Sequence, residues 1–199
     1  MKCRGDLMAI REMLMNKQLP QRHTIRLQGY DYGREGLYFV TICCKDMTCR
    51  FGKIVDAEMI LNDMGKIAKQ YWLDIPVHFP YIVLHEFIIM PNHIHGILEI
   101  VESVVGAKNF SPENSNEFRS PSKTIGSVVR GFKIGVSKWF NNNCRTKDFS
   151  SLPQQSKSIW QRNYYEHIIR NSRSYQNICN YIHSNPANWI QDDYYIKSE

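Results

Sequence analysis

The alternation of apolar and polar positions divides the chain into short strands and a few helices. Runs rich in β-branched and aromatic residues predict strands at 37–44, 51–55, 82–90, 93–101 and 164–170. The runs 82–90 and 93–101 are separated only by Pro91 and Asn92, which predicts a tight hairpin.

Helical spacing of apolar residues predicts three helices, at 62–73, 124–141 and 172–184. Asn62 is suited to cap the first helix, and Pro186 ends the last one because it lacks the backbone N–H that a helix needs. Strands interspersed with helices and a hairpin predict an α+β fold with a largely antiparallel sheet.

Two polar stretches interrupt this pattern and define the expected domain organisation. Residues 1–24 are charged and polar, which predicts an N-terminal arm ahead of a single domain at 25–199. Residues 106–123 contain almost nothing to bury and predict an exposed polar insertion in that domain. No run reaches the roughly 18 apolar residues of a membrane span, and no signal peptide is evident, so we expect a cytoplasmic protein.

Positive charge is concentrated in one part of the sequence. The whole chain has a formal net charge of +6, whereas residues 119–173 hold eleven Lys and Arg against two acids. Aromatic residues are interleaved with these cations, and flat rings stack on unpaired bases while cations bind phosphates. Nucleic acid is therefore the favoured partner, through the candidate DNA-binding residues Arg130, Lys133, Lys138, Arg162 and Arg170.

The strand at 93–101 begins with two histidines at alternate positions. Because side chains alternate across a strand, His93 and His95 lie on the same face and can chelate one ion. An ion bound by two imidazoles keeps coordination positions open for a phosphate oxygen. Histidine-triad hydrolases also place alternating histidines on a strand, but the next alternate position here is Ile97.

The last predicted helix has an apolar stripe with polar residues at its edge. Tyr181 and Asn185 are four residues apart, so they lie one turn from each other on the same side. A phenol there can point into a cleft, and the amide can ligate a metal through its oxygen. A tyrosine half buried at the edge of the core is the alternative interpretation.

Several motifs, taken in order, resemble those of the single-tyrosine transposases of small insertion sequences. The sequence Met90–Gly96 (MPNHIHG) is similar to their His-hydrophobic-His motif. Residues 160–162 (WQR), 165–171 (YEHIIRN) and 181–186 (YIHSNP) resemble the branch of REP-associated tyrosine transposases. The resemblance extends from about His23 to Trp189.

The resemblance implies a fold, a set of site residues and a chemistry. It implies a ferredoxin-like palm with the nucleophile on a C-terminal helix, Tyr181 as that nucleophile, and His93, His95 and Asn185 as ligands of Mg²⁺ or Mn²⁺. The implied reaction cleaves and rejoins single-stranded or hairpin DNA, such as repetitive extragenic palindromes, through a 5′-phosphotyrosine, in a monomer or homodimer. Other candidate nucleophiles are Tyr164, Tyr165 and Tyr175.

Two other functions are compatible with the same residues. The chain can be a DNA hairpin-binding protein whose catalysis has decayed, although it retains both histidines, Tyr181 and Asn185. It can also be a metal phosphohydrolase that uses water as the nucleophile, in which case no covalent adduct forms.

Overall fold

A four-stranded antiparallel sheet forms the centre of the fold. The computed structural model describes residues 34–101, 123–143 and 158–195. Its six strands are β1 (Gly36–Cys43), β2 (Gly52–Val55), β3 (Glu58–Leu61), β4 (Ile82–Ile89), β5 (His93–Ile100) and β6 (Tyr165–Ile169). The main sheet has the order β4-β5-β1-β6 with every neighbouring pair antiparallel, and β2 and β3 form a separate two-stranded sheet.

Among the described residues, four α-helices connect or follow these strands. They are α1 (Asp63–Leu73), α2 (Ile75–His78), α3 (Ile125–Asn143) and α4 (Ser172–Ser184). In the main sheet, β1 and β4 are separated by β5, and β5 and β6 are separated by β1. The elements β1, α1, β4, β5, α3 and β6 therefore make the β-α-β-β-α-β arrangement of a ferredoxin-like palm, and the predicted α+β, largely antiparallel fold is confirmed.

Local sequence signals fix where the key elements begin. Asn62 and Asn171 cap α1 and α4 by accepting the backbone N–H groups of Gly65 and Ser174, at 2.9 and 2.8 Å. The predicted hairpin is present: the Met90 backbone N–H donates to the His93 carbonyl at 2.8 Å across Pro91 and Asn92. β5 consequently begins at His93 itself.

One face of the main sheet packs through large aromatic rings. Trp72 of α1 is fully buried, stacks on Phe87 of β4 at 5.8 Å and meets Phe132 of α3 edge-on at 5.4 Å between ring centroids. Gly96 of β5 leaves room for this indole. A Cβ atom at that position would clash with Cζ2 of Trp72 and would lie 2.9 Å from its Cη2.

The opposite face is covered by α4. Its residues Ile178, Cys179 and Ile182 pack on Phe39 of β1 and Ile97 of β5, with Ile169 of β6 in the same cluster. Fully burying an aliphatic side chain contributes about 1.5–3 kcal/mol, so this contact fixes the position of α4 over β5. Both faces of β5 are thus buried, including the one that carries the histidines.

One strand and one α-helix of the described residues were not predicted from the sequence. The strand β3 pairs with β2 through a turn at Asp56 and Ala57, whose φ values are +50° and +62°. Such turns usually carry Asn or Gly, so this pair gives no hairpin signal. The helix α2 has four residues, too few for a helical period to be visible.

Some expectations concern residues outside the described part of the chain. The N-terminal arm at 1–24 lies there, as does the polar insertion at 106–123 except for Lys123. Within the described ranges, none of the helices has the length and apolar character needed to cross a membrane.

The contact between Gly96 and Trp72 predicts a measurable cost of adding one methyl group. We expect Gly96→Ala to lower the free energy of unfolding by about 1–3 kcal/mol, the usual range for overpacking a core. Urea unfolding of the variant measures this. The double variant Gly96→Ala/Trp72→Phe lacks the indole carbons that the new methyl group would contact. Its loss in free energy of unfolding should therefore be smaller than the sum of the losses of the two single variants. Full additivity would contradict this packing.

Candidate metal and tyrosine site

The two histidines of β5 lie side by side on the face covered by α4. Their ring centroids are 4.4 Å apart, and the exposed fractions of His93 and His95 are 0% and 1%. In the sheet, His93 pairs with Cys43 and His95 with Thr41, both on β1. The predicted same-face arrangement of the histidines follows directly from the alternation of this strand.

A buried amide fixes the tautomer of His93. The Nδ2 group of Asn92 donates to the backbone carbonyls of Met47 and Tyr194, at 3.0 and 2.7 Å. The amide oxygen therefore faces His93, whose Nδ1 lies 2.8 Å away and must carry the proton. The Nε2 atom of His93 is left with a lone pair, and it is buried without a hydrogen-bond partner among the described residues.

His95 links the histidine pair to the tyrosine of α4. Its Nδ1 lies 2.9 Å from the hydroxyl of Thr41, and its Nε2 lies 3.1 Å from the hydroxyl of Tyr181. Both partners are hydroxyls, which donate or accept, so Nδ1–H can donate to Thr41 while Nε2 presents its lone pair. A partner on the second nitrogen is what orients a metal-binding histidine.

Among the four tyrosines considered from the sequence, Tyr181 is the one whose hydroxyl is hydrogen-bonded to the histidine pair. The Tyr164 hydroxyl donates to Glu166 at 2.7 Å, and the Tyr175 hydroxyl lies 3.1 Å from His85 Nδ1. Tyr165 lies on β6, where it pairs with Thr41.

The residue predicted as third ligand, Asn185, caps the C-terminus of α4 and is 2% exposed. Its Nδ2 donates to Asp192 Oδ2 at 2.8 Å, whereas its Oδ1 is buried with no hydrogen-bond partner in the described ranges. Asp192 also accepts the backbone N–H of Tyr194 through Oδ1 at 2.7 Å.

The segment that follows α4 contributes residues that the sequence did not identify. The Tyr194 ring lies 4.6 Å from the His93 ring and 5.9 Å from the His95 ring, centroid to centroid. Trp189 lies 6.0 Å from His93 on the same measure. Asp192 and Tyr194 come after the predicted end of the helix, in a stretch with no periodicity, so only folding brings them to the histidines.

Burial sets the protonation states of the site. It holds the pKa of His93 well below the usual range, an effect reinforced by His95, and lowers the pKa of His95 to about 3. Both imidazoles are therefore neutral at physiological pH, as metal ligands must be. Burial, followed by the nearby carboxylates of Asp192 and Asp193, raises the pKa of Tyr181, so its phenol is protonated in this arrangement.

The residues present fit a divalent cation. One ligand atom from each of His93, His95 and Asp192 can be chosen so that all lie within 4.8 Å of one another. The orphaned Nε2 of His93 and Oδ1 of Asn185 are buried acceptors, which a cation would satisfy. Imidazole nitrogens combined with oxygen donors suit Mn²⁺ and similar metals.

A separate basic groove lies between α3 and the segment before β6. Its volume is about 740 Å³. Four of the five candidate DNA-binding residues line it, namely Arg130, Lys133, Lys138 and Arg162. Trp160 and Tyr164 line it as well, whereas Arg170, at the end of β6, does not.

Lys133 differs from the other cations of this groove. Its ammonium donates to the backbone carbonyls of Gln161 and Asn163, both at 2.9 Å, and burial lowers its pKa to about 8. The Trp160 indole N–H donates to the Lys133 carbonyl at 3.1 Å. Lys133 thus holds the two walls of the groove together, while Lys138 is exposed.

Comparison with known proteins identifies relatives by sequence. No family model matches the chain. An uncharacterized protein of Haemophilus influenzae is 46% identical over 185 residues, covering 91% of this chain and 97% of that protein. Another protein of that organism, provisionally named a REP-associated tyrosine transposase, is 25% identical over 157 residues, 79% of this chain and 73% of its own length.

Two further similarities are more distant. The REP-associated tyrosine transposase of Escherichia coli is 24% identical over 110 residues, which cover 54% of this chain and 47% of that protein. Among solved structures, a REP-associated tyrosine transposase bound to a REP hairpin aligns with a TM-score of 0.48 at 20% identity, covering 84% of this chain and 74% of that one.

The contacts of Lys133 predict that the two lysines of α3 differ in their effect on stability. Lys133→Met removes two charge-assisted hydrogen bonds to carbonyls, so we expect the free energy of unfolding to fall by about 1–3 kcal/mol. Lys138→Met, the matched control on the same helix, should change it by less than about 0.5 kcal/mol. Chemical denaturation measures both, and equal effects would contradict the bracing role of Lys133.

Proposed function

We propose that this chain, which is similar in sequence to REP-associated tyrosine transposases, cleaves and rejoins single-stranded or hairpin DNA through a 5′-phosphotyrosine on Tyr181. The observation that best supports this is the contact of Tyr181 with the histidine pair. Its hydroxyl lies 3.1 Å from His95 Nε2. The His95 ring lies 4.4 Å from that of His93, centroid to centroid, and His93 Nε2 is buried without a hydrogen-bond partner among the described residues. The proposed nucleophile therefore contacts one of the two histidines of the proposed cation site.

In the proposed reaction, Tyr181 Oη attacks the phosphorus of the scissile phosphodiester. A bond forms between that oxygen and phosphorus, the bond to the 3′ oxygen breaks, and the released strand keeps a 3′-hydroxyl. The energy of the phosphodiester is retained in the tyrosine ester, so a 3′-hydroxyl can rejoin the strands by the reverse attack without a nucleotide cofactor.

His93, His95 and Asn185 are the residues proposed to hold Mg²⁺ or Mn²⁺. A bound divalent cation would neutralise charge on a non-bridging phosphate oxygen and favour the phenolate of Tyr181 over the phenol. The protein's own contribution is to keep both imidazoles neutral by burial and to orient them through Asn92 and Thr41.

DNA binding is proposed to use the basic groove beside α3. Arg130, Lys138 and Arg162 are exposed along it and can neutralise phosphates, while Tyr164 offers a half-buried ring. The groove also favours the second candidate function, a hairpin-binding protein without catalysis, since it does not depend on the tyrosine site. Covalent capture of DNA separates the two.

The metal proposal predicts that His93→Ala and His95→Ala each abolish the covalent adduct with a hairpin oligonucleotide in Mn²⁺. EDTA should abolish it in the unchanged protein, where no side chain is altered. His183→Ala is the control, because His183 is exposed and paired with Glu86 at 3.0 Å rather than with the site. Adduct formation by both variants in chelator, assayed on denaturing gels, would refute the metal requirement.

The nucleophile proposal predicts that Tyr181→Phe eliminates the adduct while hairpin affinity changes by less than about twofold. Phe keeps the ring that packs on Phe39 and loses only the oxygen. Parallel controls are the Phe variants of Tyr164, Tyr165, Tyr175 and Tyr194, which should still form the covalent adduct. Mass spectrometry of a nuclease-trimmed adduct locates the modified residue, and cleavage without any adduct would support a water nucleophile instead.

The groove proposal predicts how hairpin affinity depends on salt. Each phosphate contact contributes about −0.7 to −0.9 to the slope of log affinity against log salt, so Arg130→Ala/Lys138→Ala/Arg162→Ala should reduce the slope by about 2 to 3. Fluorescence anisotropy between low and moderate salt measures it. Lys138→Glu alone should weaken binding, and Lys69→Glu on α1 is the charge-reversal control; equal effects of these two would reject the groove.

A further inference from the structure

We propose that Asp192 is a positioning residue of the cation site, which turns the amide of Asn185 so that its oxygen is presented for the metal. This inference rests on the proposed metal-dependent function. The Asn185 Nδ2 group donates to Asp192 Oδ2 at 2.8 Å. A carboxylate can only accept, so the amide nitrogen must face Asp192 and the amide oxygen must lie on the other side.

The amide oxygen that results is an unusual atom for a folded protein. Asn185 is 2% exposed, and within the described residues its Oδ1 has no hydrogen-bond partner. A buried acceptor without a partner destabilises the folded state, and coordination to a bound cation would remove that cost. Within the described residues His93 Nε2 is orphaned in the same way, so one acceptor on β5 and one at the end of α4 are both buried without a partner.

Asp192 is itself held in place by the segment that carries it. It follows the short 3₁₀ turn Trp189–Gln191, and its Oδ1 accepts the backbone N–H of Tyr194 at 2.7 Å. Each carboxylate oxygen thus has a different donor. The pair of bonds ties the amide at the end of α4 to the segment whose Tyr194 ring lies against both histidines.

Asp192 also changes the charge of the site. His93, His95 and Asn185 are neutral ligands, so without Asp192 they offer a divalent cation no negative charge. One Asp192 oxygen lies within 4.8 Å of a ligand nitrogen of each histidine. A carboxylate this close to both imidazoles would attract a cation bound to them in a site shielded from water, so the group that orients Asn185 also raises the affinity for the cation.

A role confined to anchoring the chain is the alternative, and Asp192→Asn separates the two. The oxygen of the substituted amide can still accept from the Tyr194 N–H, but the new amide nitrogen then faces Asn185 and forces that side chain to turn over. Nitrogen instead of oxygen is presented to the cation. We expect the Mn²⁺ dissociation constant, measured by the free-Mn²⁺ EPR signal, to rise about 10- to 100-fold, as for other partners of metal ligands.

Two further variants control for charge and for folding. Asp193→Asn removes the same charge from the neighbouring residue, which also acts on Tyr181, whereas the amide of Asn185 donates to Asp192. This variant should raise the dissociation constant clearly less than Asp192→Asn does. In Asn185→Asp/Asp192→Asn the pair is exchanged: the carboxylate at position 185 accepts from the amide at position 192 and offers its second oxygen to the metal. We expect this exchange to restore Mn²⁺ binding to within about tenfold of the unchanged protein, with a similar melting temperature in the absence of metal.

Each outcome bears on a different statement. Equal Mn²⁺ affinities for Asp192→Asn, Asp193→Asn and the unchanged protein would overturn the proposal, as would an exchanged pair that folds but binds as weakly as Asp192→Asn. Mn²⁺ binding that His93→Ala leaves unchanged would overturn the metal site together with it. If Asp192→Asn weakens Mn²⁺ binding while Tyr181→Phe keeps its adduct, the proposal stands and the nucleophile assignment fails.

Discussion

The arrangement of the site depends on one buried amide, that of Asn92 in the hairpin between β4 and β5. Its nitrogen donates to Met47 and Tyr194, which joins the turn to two distant segments, and its oxygen fixes the proton of His93 on Nδ1. Because both ends of this amide are committed to hydrogen bonds, it cannot turn over without breaking several of them at once. The unpartnered lone pair on the buried Nε2 of His93 is a consequence of that constraint.

Burial then gives the site its chemical character. Removal from water lowers the pKa of both His93 and His95. Their imidazoles therefore stay neutral, and a neutral imidazole can bind a metal ion. The same burial raises the pKa of Tyr181 and leaves this proposed nucleophile protonated. In the proposed function, a bound cation would offset this effect of burial and favour the phenolate of Tyr181.

Much of this could be predicted from the sequence because the signals are local. Alternation along β5 put His93 and His95 on one face, and the four-residue spacing put Tyr181 and Asn185 on one side of α4, which the structure describes as Ser172–Ser184 as predicted. Resemblance to a family supplied the ferredoxin-like palm and the grouping of Tyr181 and Asn185 with the two histidines. β3 was missed because Asp56 and Ala57 carry no hairpin signal, and Asp192 because nothing near it in sequence marks it as different from Asp193.

The sequence by itself determined the elements and the face on which each functional side chain lies, since strand and helix periodicity act over a few neighbouring residues. Only the tertiary structure decided which hydrogen-bond partner each buried polar atom has. Thr41 meets His95 across 54 residues, Asn92 meets Tyr194 across 102, and Tyr181 meets His95 across 86. Contacts at such separations arise from the packing of sheet and helices, and no local pattern in the chain encodes them.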